Sequence, residues 1–152
     1  MSVKASTLSD VVARACAEAM WKEDDASTGL GMEILEITPG QARLTMTVQP
    51  HMVNGQRIAH GGFTFMLADS AFAFACNSHN ERAVAAHCQI TFIRSAKLGD
   101  RLIAVAREIS RSGRSGIYDV RVTAGDEVIA EFRGHSRTVP GKWLADADIK
   151  QT

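Results

Sequence analysis

An aspartate, Asp69, lies in the middle of a segment that is otherwise almost entirely apolar. From Phe63 to Cys76, eleven of fourteen residues are apolar, and only Thr64, Asp69 and Ser70 are polar. Aspartate is almost never fully buried without a partner, because an unpaired buried charge costs several kcal/mol or shifts the pKa of the group. Asp69 is therefore a candidate nucleophile or general base that faces a cleft.

A structural role for Asp69 is the alternative. The residues one helical turn away are Phe65, Met66, Phe72 and Ala73, and none of them can pair with a carboxylate. In that case Asp69 must accept hydrogen bonds from a strand or a subunit that the sequence does not reveal.

Two glycines, Gly61 and Gly62, precede this segment and add a second chemical feature. Glycine permits close approach to the backbone, and amides at a helix start lie at the positive end of the helix dipole, where they can stabilise an oxyanion. An ordinary flexible start of a helix is the alternative. Gly61 and Asp69 are about 12 Å apart along a helix axis, whereas one reacting carbonyl must lie about 3 Å from both groups. If both act in one site, that site is predicted to lie between two copies of the chain.

Composition and charge exclude several classes of function. The chain has 152 residues, of which 45% are hydrophobic and 22% charged, and this predicts a single domain over residues 1–152. Since 17 basic and 17 acidic residues balance, we expect no nucleic-acid partner and no membrane partner. Three cysteines without CxxC spacing, and histidines that match no metal motif, predict neither disulfides nor a metal site. No stretch has the ~18 apolar residues of a membrane span, and the first ten residues lack the apolar core of a signal peptide, so we expect a cytoplasmic protein.

Periodicity predicts the elements that position these residues. Apolar residues at helical spacing predict an amphipathic helix over Leu8–Trp21, capped by Ser9 or Asp10. Residues 63–76 are predicted to form a helix that is buried on every side. Alternation and turn residues predict six strands, over residues 30–38, 42–48, 84–93, 101–109, 116–122 and 128–139. Because no helix separates the last four strands, we expect antiparallel pairing in an α+β fold, with the sheet wrapped round the apolar helix.

A tight turn with two arginines joins two of the predicted strands. Its residues are Arg111, Ser112, Gly113 and Arg114. Guanidinium groups suit phosphate oxygens, and glycine lets the backbone approach a ligand, so the turn is a candidate phosphate site. Arg94 and Lys97 lie in a nearby stretch and are further candidates. A solvated hairpin tip is the alternative.

Three of these features together resemble one family. They are VNGQRIAHGG at residues 53–62, the apolar helix with its acid, and RSGRSGIYDV at residues 111–120. The combination resembles the PaaI-type hotdog thioesterases of phenylacetate degradation, and the resemblance covers most of the chain. It implies a hotdog fold, in which an antiparallel sheet wraps round one long central helix, together with an N-terminal helix.

The resemblance also implies a role for each of four residues. Asp69 matches the catalytic acid, which acts as nucleophile or base, and Gly61 matches the residue whose backbone N–H polarises the thioester carbonyl. Asn54 is expected to orient water or the acyl group, and His60 to lie near the thiol leaving group. Arg111, Ser112, Gly113 and Arg114 become candidates for holding the coenzyme A (CoA) moiety.

The implied reaction is hydrolysis of acyl-CoA, with phenylacetyl-CoA, its ring-hydroxylated relatives or medium-chain acyl-CoAs as substrates. No separate cofactor and no metal are expected, because CoA is part of the substrate. The family usually forms a homodimer with shared sites, often paired into a homotetramer. Two alternatives stay open, a hotdog hydratase or dehydratase acting on acyl thioesters and a non-catalytic acyl-CoA-binding protein.

Overall fold

The computed structural model describes residues 5–150, which form helices and one antiparallel sheet. The helices are α1 (Leu8–Trp21), α2 (Asp25–Gly29), α3 (Gly61–Cys76) and α4 (Asp146–Ile149), and a 3-10 turn covers Pro50–Met52. The strands are β1 (Glu33–Thr38), β2 (Gln41–Thr47), β3 (Ala83–Phe92), β4 (Arg101–Ser112), β5 (Ser115–Ala124) and β6 (Glu127–Thr138). Every neighbouring pair in the order β1-β2-β4-β5-β6-β3 is antiparallel. The predicted α+β class is confirmed.

The sheet wraps round α3 because alternate residues of its strands turn toward the helix. On β5 these residues are Tyr118, Val120 and Val122, all of which are buried. Where the helix lies closest to β6 the strand carries Gly134, and a Cβ atom there would lie 2.8 Å from the Phe72 ring. A side chain of ordinary size at this position would push the helix off the sheet. The central helix that we predicted is therefore present.

Helix α1 covers the predicted residues, but its predicted cap was wrong. The N-cap is Thr7, whose hydroxyl accepts a hydrogen bond from the Asp10 N–H at 3.1 Å. In return, the Asp10 carboxylate accepts one from the Thr7 N–H at 2.9 Å, which completes a capping box. Apolar periodicity shows which residues face the core. It does not show which polar residue accepts hydrogen bonds from the first backbone N–H groups of the helix.

Within one chain, helix α3 is buried on most of its sides but not on every side. Leu67, Ala68 and Ala71 are fully buried. Met66, Asp69 and Ala73 form a partly exposed stripe, because residues at this spacing share one helix face. We call this stripe the open face of α3. An apolar stripe left uncovered within one chain suits contact with a second chain.

Strand β3 is an edge strand with an apolar surface. It pairs only with β6, and the exposed fractions of Val84, Phe92 and the following Ile93 are 51%, 51% and 50%. An unpaired strand edge exposes backbone N–H and C=O groups that can pair with another chain. Cys88 of this strand contacts Asp69 on the open face of α3, so the edge and the open face are neighbouring surfaces.

The segment after β6, whose residues show no clear periodicity, packs against the turn that follows α3. The Trp143 indole N–H donates to Asn77 Oδ1 at 2.8 Å. The Arg82 guanidinium carbon lies 4.1 Å from the centre of the Trp143 ring. Asn80 Oδ1 accepts from the backbone N–H groups of Trp143 and Leu144 at 3.1 and 2.9 Å. The tail is therefore fixed to the end of α3 that lies away from Gly61.

Candidate active site

Asp69 lies midway along α3, on its open face, with one hydrogen-bond partner among the described residues. The partner is the Cys88 thiol, whose Sγ lies 3.9 Å from Asp69 Oδ1. Among residues 5–150, no lysine or arginine forms an ion pair with this carboxylate. Burial raises the pKa of Asp69, and the Cys88 hydrogen bond offsets part of that rise. A raised pKa makes the carboxylate a stronger base than an exposed one.

The neighbouring thiols are not suited to act as nucleophiles. Burial and the charge of Asp69 raise the pKa of Cys88 to about 11. Burial is also the main reason that the pKa of Cys76 is raised to about 12. Because a thiol reacts as its thiolate, both groups stay protonated and inert near neutral pH. A structural role for Asp69 requires a hydrogen-bond donor from a strand or a subunit. Cys88 on β3 is such a donor, although a thiol is a weak one.

The start of α3 has one backbone amide without an acceptor. Gly61 is the first residue of the helix, and its N–H donates to no group within residues 5–150. The next amide, that of Gly62, donates to His60 Nδ1 at 2.9 Å. Of the two glycine amides, only that of Gly61 is available to a ligand. Since His60 Nδ1 accepts, the neutral imidazole carries its hydrogen on the exposed Nε2.

Asn54 shapes the loop that precedes the helix. Its Oδ1 accepts from the backbone N–H groups of Gln56 and Ile58 at 3.0 and 3.4 Å. Its Nδ2 group donates to no acceptor in the described part of the chain. The carbonyl end of the amide is therefore fixed by the loop, which leaves the N–H end as a donor for a ligand.

Asn54 and Gly61 line the same cavity, which has a volume of about 340 Å³. Its apolar walls include Ile58, Phe92 and Ile129. The Phe92 ring lies directly on Gly61, since a Cβ atom there would be 2.8 Å from the ring. Phe92 was not among the site residues predicted from the sequence. Its only signal was an apolar residue at the end of a predicted strand.

The structure brings three of the four predicted catalytic residues together and separates the fourth. Asn54, His60 and Gly61 lie at the start of α3, whereas Asp69 follows Gly61 by eight residues, about 12 Å along the helix. Asp69 does not line the cavity beside Gly61. A single chain therefore does not place one thioester against both groups.

The predicted CoA-binding turn lies at the opposite end of α3. Arg114 Nη2 donates to the Thr138 carbonyl at 3.0 Å, and Arg111 Nε lies 4.0 Å from Glu108 Oε1. The same Glu108 oxygen lies 2.8 Å from Nε2 of His79, just past the end of α3. Since α3 has 16 residues, about 24 Å of helix separates this end from the end that begins at Gly61. The role of residues 111–114 stays a prediction, and it requires the turn of another copy.

Metal-binding clusters and membrane-spanning helices are both absent from residues 5–150. No group of three or more histidine, cysteine, aspartate or glutamate side chains in this range is placed to hold a metal ion. No helix there is long and apolar enough to cross a membrane.

The antiparallel sheet round one central helix, with a glycine amide at the helix start and an acid on its open face, defines the class of hotdog thioesterases. A family model for the thioesterase superfamily matches residues 56–131, half of the chain and the part that includes Gly61 and Asp69. The chain belongs to the thioesterase superfamily.

Within this family the chain is similar to acyl-coenzyme A thioesterase PaaI of Escherichia coli strain K12. The two are 40% identical over 86% of this chain and 94% of that protein. The solved structure of the E. coli PaaI protein from the phenylacetic acid degradation operon matches with a TM-score of 0.86, at 39% identity over 88% of this chain and 97% of that one. A Streptococcus mutans protein solved with acetyl CoA matches with a TM-score of 0.70, at 26% identity over 73% of this chain and 90% of that one. The predicted PaaI-type hotdog fold is confirmed.

Proposed function

We propose that this protein hydrolyses acyl-CoA thioesters to a free acid and CoA. The observation that carries the proposal is the Asp69 carboxylate, which has a raised pKa and no cationic partner among the described residues. The Gly61 amide, which has no acceptor in that part of the chain, supplies the complementary donor. The proposal is supported by the E. coli relative, which is named an acyl-coenzyme A thioesterase, and by the S. mutans protein, which was solved with acetyl CoA.

In the proposed mechanism the thioester carbonyl accepts a hydrogen bond from the Gly61 N–H, which stabilises the oxyanion of the tetrahedral intermediate. Asp69 of a second copy attacks the carbonyl carbon, or removes a proton from a water molecule that attacks it. The C–S bond then breaks, and in this mechanism His60 Nε2–H donates a hydrogen bond to the leaving thiolate. Asn54 Nδ2–H orients the acyl group or the water. After direct attack, water hydrolyses the anhydride between Asp69 and the acyl group, which restores the carboxylate. On either route one water molecule is consumed, and one free acid and one thiol are released.

The second copy is expected to pair along the β3 edge and to cover the open face of α3. These two surfaces are neighbours, and both expose apolar side chains. A symmetric pair would place Asp69 of each copy beside the cavity at Gly61 of the other. We propose a homodimer built in this way, which pairs further into a homotetramer.

The proposed acyl groups are phenylacetyl, its ring-hydroxylated relatives and medium-length chains. The apolar and aromatic walls of the cavity at Gly61 support them. We further propose that the protein works in the cytoplasm, because the three cysteines, Cys16, Cys76 and Cys88, are free thiols.

The test is thiol release from a panel of aryl- and straight-chain acyl-CoAs, measured for the wild type and for Asp69→Asn. We expect the variant to fold and to bind acyl-CoA but to lose about 10²- to 10⁴-fold in kcat. Asp126→Asn, on the exposed β5–β6 turn, is the matched control and should keep full activity. Full activity of Asp69→Asn would remove Asp69 from the mechanism.

Other results of the same panel would favour the alternatives. Binding of acyl-CoA without thiol release from any substrate indicates a non-catalytic binding protein. Hydration of an enoyl-CoA without thiol release indicates a hydratase. Oxygen-18 from water, followed through a single turnover, separates direct attack by Asp69 from base catalysis, since only direct attack places the label in the enzyme carboxylate.

A further inference from the structure

We propose that Arg94 binds the phosphate groups of CoA at the mouth of the cavity that begins at Gly61. This inference rests on the proposed acyl-CoA substrate, and it assigns the phosphate-binding role to a different residue from the Arg111–Arg114 turn.

The position of Arg94 follows from the end of strand β3. Its backbone N–H donates to the Ile129 carbonyl at 3.2 Å, and that of Ile93 donates to the same oxygen at 2.8 Å. These two bonds fix the chain where it leaves the sheet. Arg94 therefore lines the same cavity as Asn54 and Gly61, the two residues expected to contact the thioester.

The charge of this cavity favours an anion. Arg94 is the only charged residue among the described residues that line it, since the others are apolar or carry neutral polar groups such as Thr64 and Ser95. The guanidinium is exposed and has no ion-pair or hydrogen-bond partner within residues 5–150. An arginine that no carboxylate neutralises suits phosphate oxygens, which it can bind with two parallel hydrogen bonds.

The arginine turn is less well placed. Arg114 already donates to the Thr138 carbonyl, and Arg111 lies near the Glu108 carboxylate. The turn also lies at the other end of α3 from Gly61 of its own chain, and α3 is about 24 Å long. Arg94, by contrast, is exposed and lines the same cavity as Gly61, whose N–H is the proposed donor to the thioester carbonyl.

The test compares two thioesters of the same acyl group, taken from the best substrate in the panel. One is the acyl-CoA, and the other is the N-acetylcysteamine thioester, which keeps the reacting group but has no phosphate. We expect Arg94→Ala to raise KM for the acyl-CoA about tenfold, with little change in kcat. The same variant should leave the kinetics of the N-acetylcysteamine thioester unchanged. Arg94→Lys, which keeps the charge, should lie between the wild type and Arg94→Ala.

Arg43→Ala is the matched control, because Arg43 is an exposed arginine of strand β2 that lies outside the cavity lining. Thermal unfolding checks that each variant folds. An unchanged KM for acyl-CoA in Arg94→Ala overturns the proposal, and so does an equal rise in KM for both thioesters. If Arg114→Ala raises KM for the acyl-CoA alone and Arg94→Ala does not, the phosphates are bound by the Arg111–Arg114 turn instead. Absence of thiol release in the wild type would instead refute the proposed function itself.

Discussion

At the scale of single residues, the ionised Asp69 carboxylate opposes folding near neutral pH. The pKa of Asp69 is raised, because burial outweighs the Cys88 hydrogen bond. A carboxyl group whose pKa is higher in the folded chain than in the unfolded chain favours folding fully only at pH values below its pKa in the unfolded chain. That stabilisation is lost as the pH rises through the folded pKa. An amide at this position carries no charge and avoids the loss.

We therefore expect Asp69→Asn to be more stable than the wild type at pH 7. The advantage should shrink as the pH falls toward the ordinary pKa of an aspartate, about 3.9. Urea unfolding midpoints at pH 7 and at pH 3.5 measure the difference. Asp126→Asn removes an exposed carboxylate from the β5–β6 turn and is the matched control. Equal effects of Asp69→Asn at both pH values would contradict the raised pKa.

The role of the Gly61 amide can be tested because Gly61 is the first residue of a helix. Proline is tolerated at this position and removes the N–H, and His60 already has the extended backbone (φ −64°, ψ 130°) that a following proline requires. Phe92 obstructs any side chain at position 61, so the comparison is made in a Phe92→Ala background. In that background, Gly61→Ala keeps the donor and Gly61→Pro removes it.

We expect Gly61→Pro/Phe92→Ala to have a kcat about 10²- to 10³-fold below that of Gly61→Ala/Phe92→Ala. Both chains should show similar thermal unfolding temperatures, which separates loss of the donor from loss of the fold. Equal kcat values in the two folded variants would show that the amide does not stabilise the oxyanion.

At the scale of helices and strands, the sequence predicts those elements that a periodic pattern or an unusual composition marks. Helix α3 was identified by its apolar composition, and Asp69 and Gly61 were identified because they are unusual there. Cys88 and Phe92 were missed, because their contacts with α3 depend on the pairing of β3 with the distant strand β6. Strand β4 extends to Ser112 rather than ending at residue 109, since its polar final residues carry no alternating signal.

The tail after β6 was also unpredicted, because its partners are polar groups in the turn after α3. We expect Trp143→Phe to lower the free energy of unfolding by about 1 kcal/mol more than Trp21→Phe does. The Trp143 indole N–H donates to Asn77. Trp21 packs on Phe74, with ring centroids 5.9 Å apart, and its indole N–H has no acceptor within residues 5–150. Urea unfolding of the two variants measures the difference, and equal losses would show that the Asn77 hydrogen bond does not stabilise the tail.

At the scale of the whole molecule, the separation between Gly61 and Asp69 decides how the site is completed. The amide at the helix start and the carboxylate eight residues later belong to one rigid helix, so no movement within α3 brings them together. The uncovered stripe of α3 and the edge of β3 are the surfaces at which the proposed second copy would supply the missing group. The helical spacing predicts a shared site if both residues act together, and the structure adds the two exposed surfaces at which we propose that a second copy packs.

Sharing of the site predicts that two inactive chains restore activity when they are mixed. Asp69→Asn retains a working Gly61, and Gly61→Pro/Phe92→Ala retains a working Asp69, so each mixed dimer has one complete site and one site that lacks both groups. At random pairing about half of the dimers are mixed, and the mixture should therefore reach about a quarter of wild-type activity. The subunits are exchanged by mild denaturation, native mass spectrometry counts the mixed dimers, and thiol release measures the activity. Each variant exchanged with itself is the control. A mixture that contains mixed dimers but is no more active than its parents would show that each chain builds its own site.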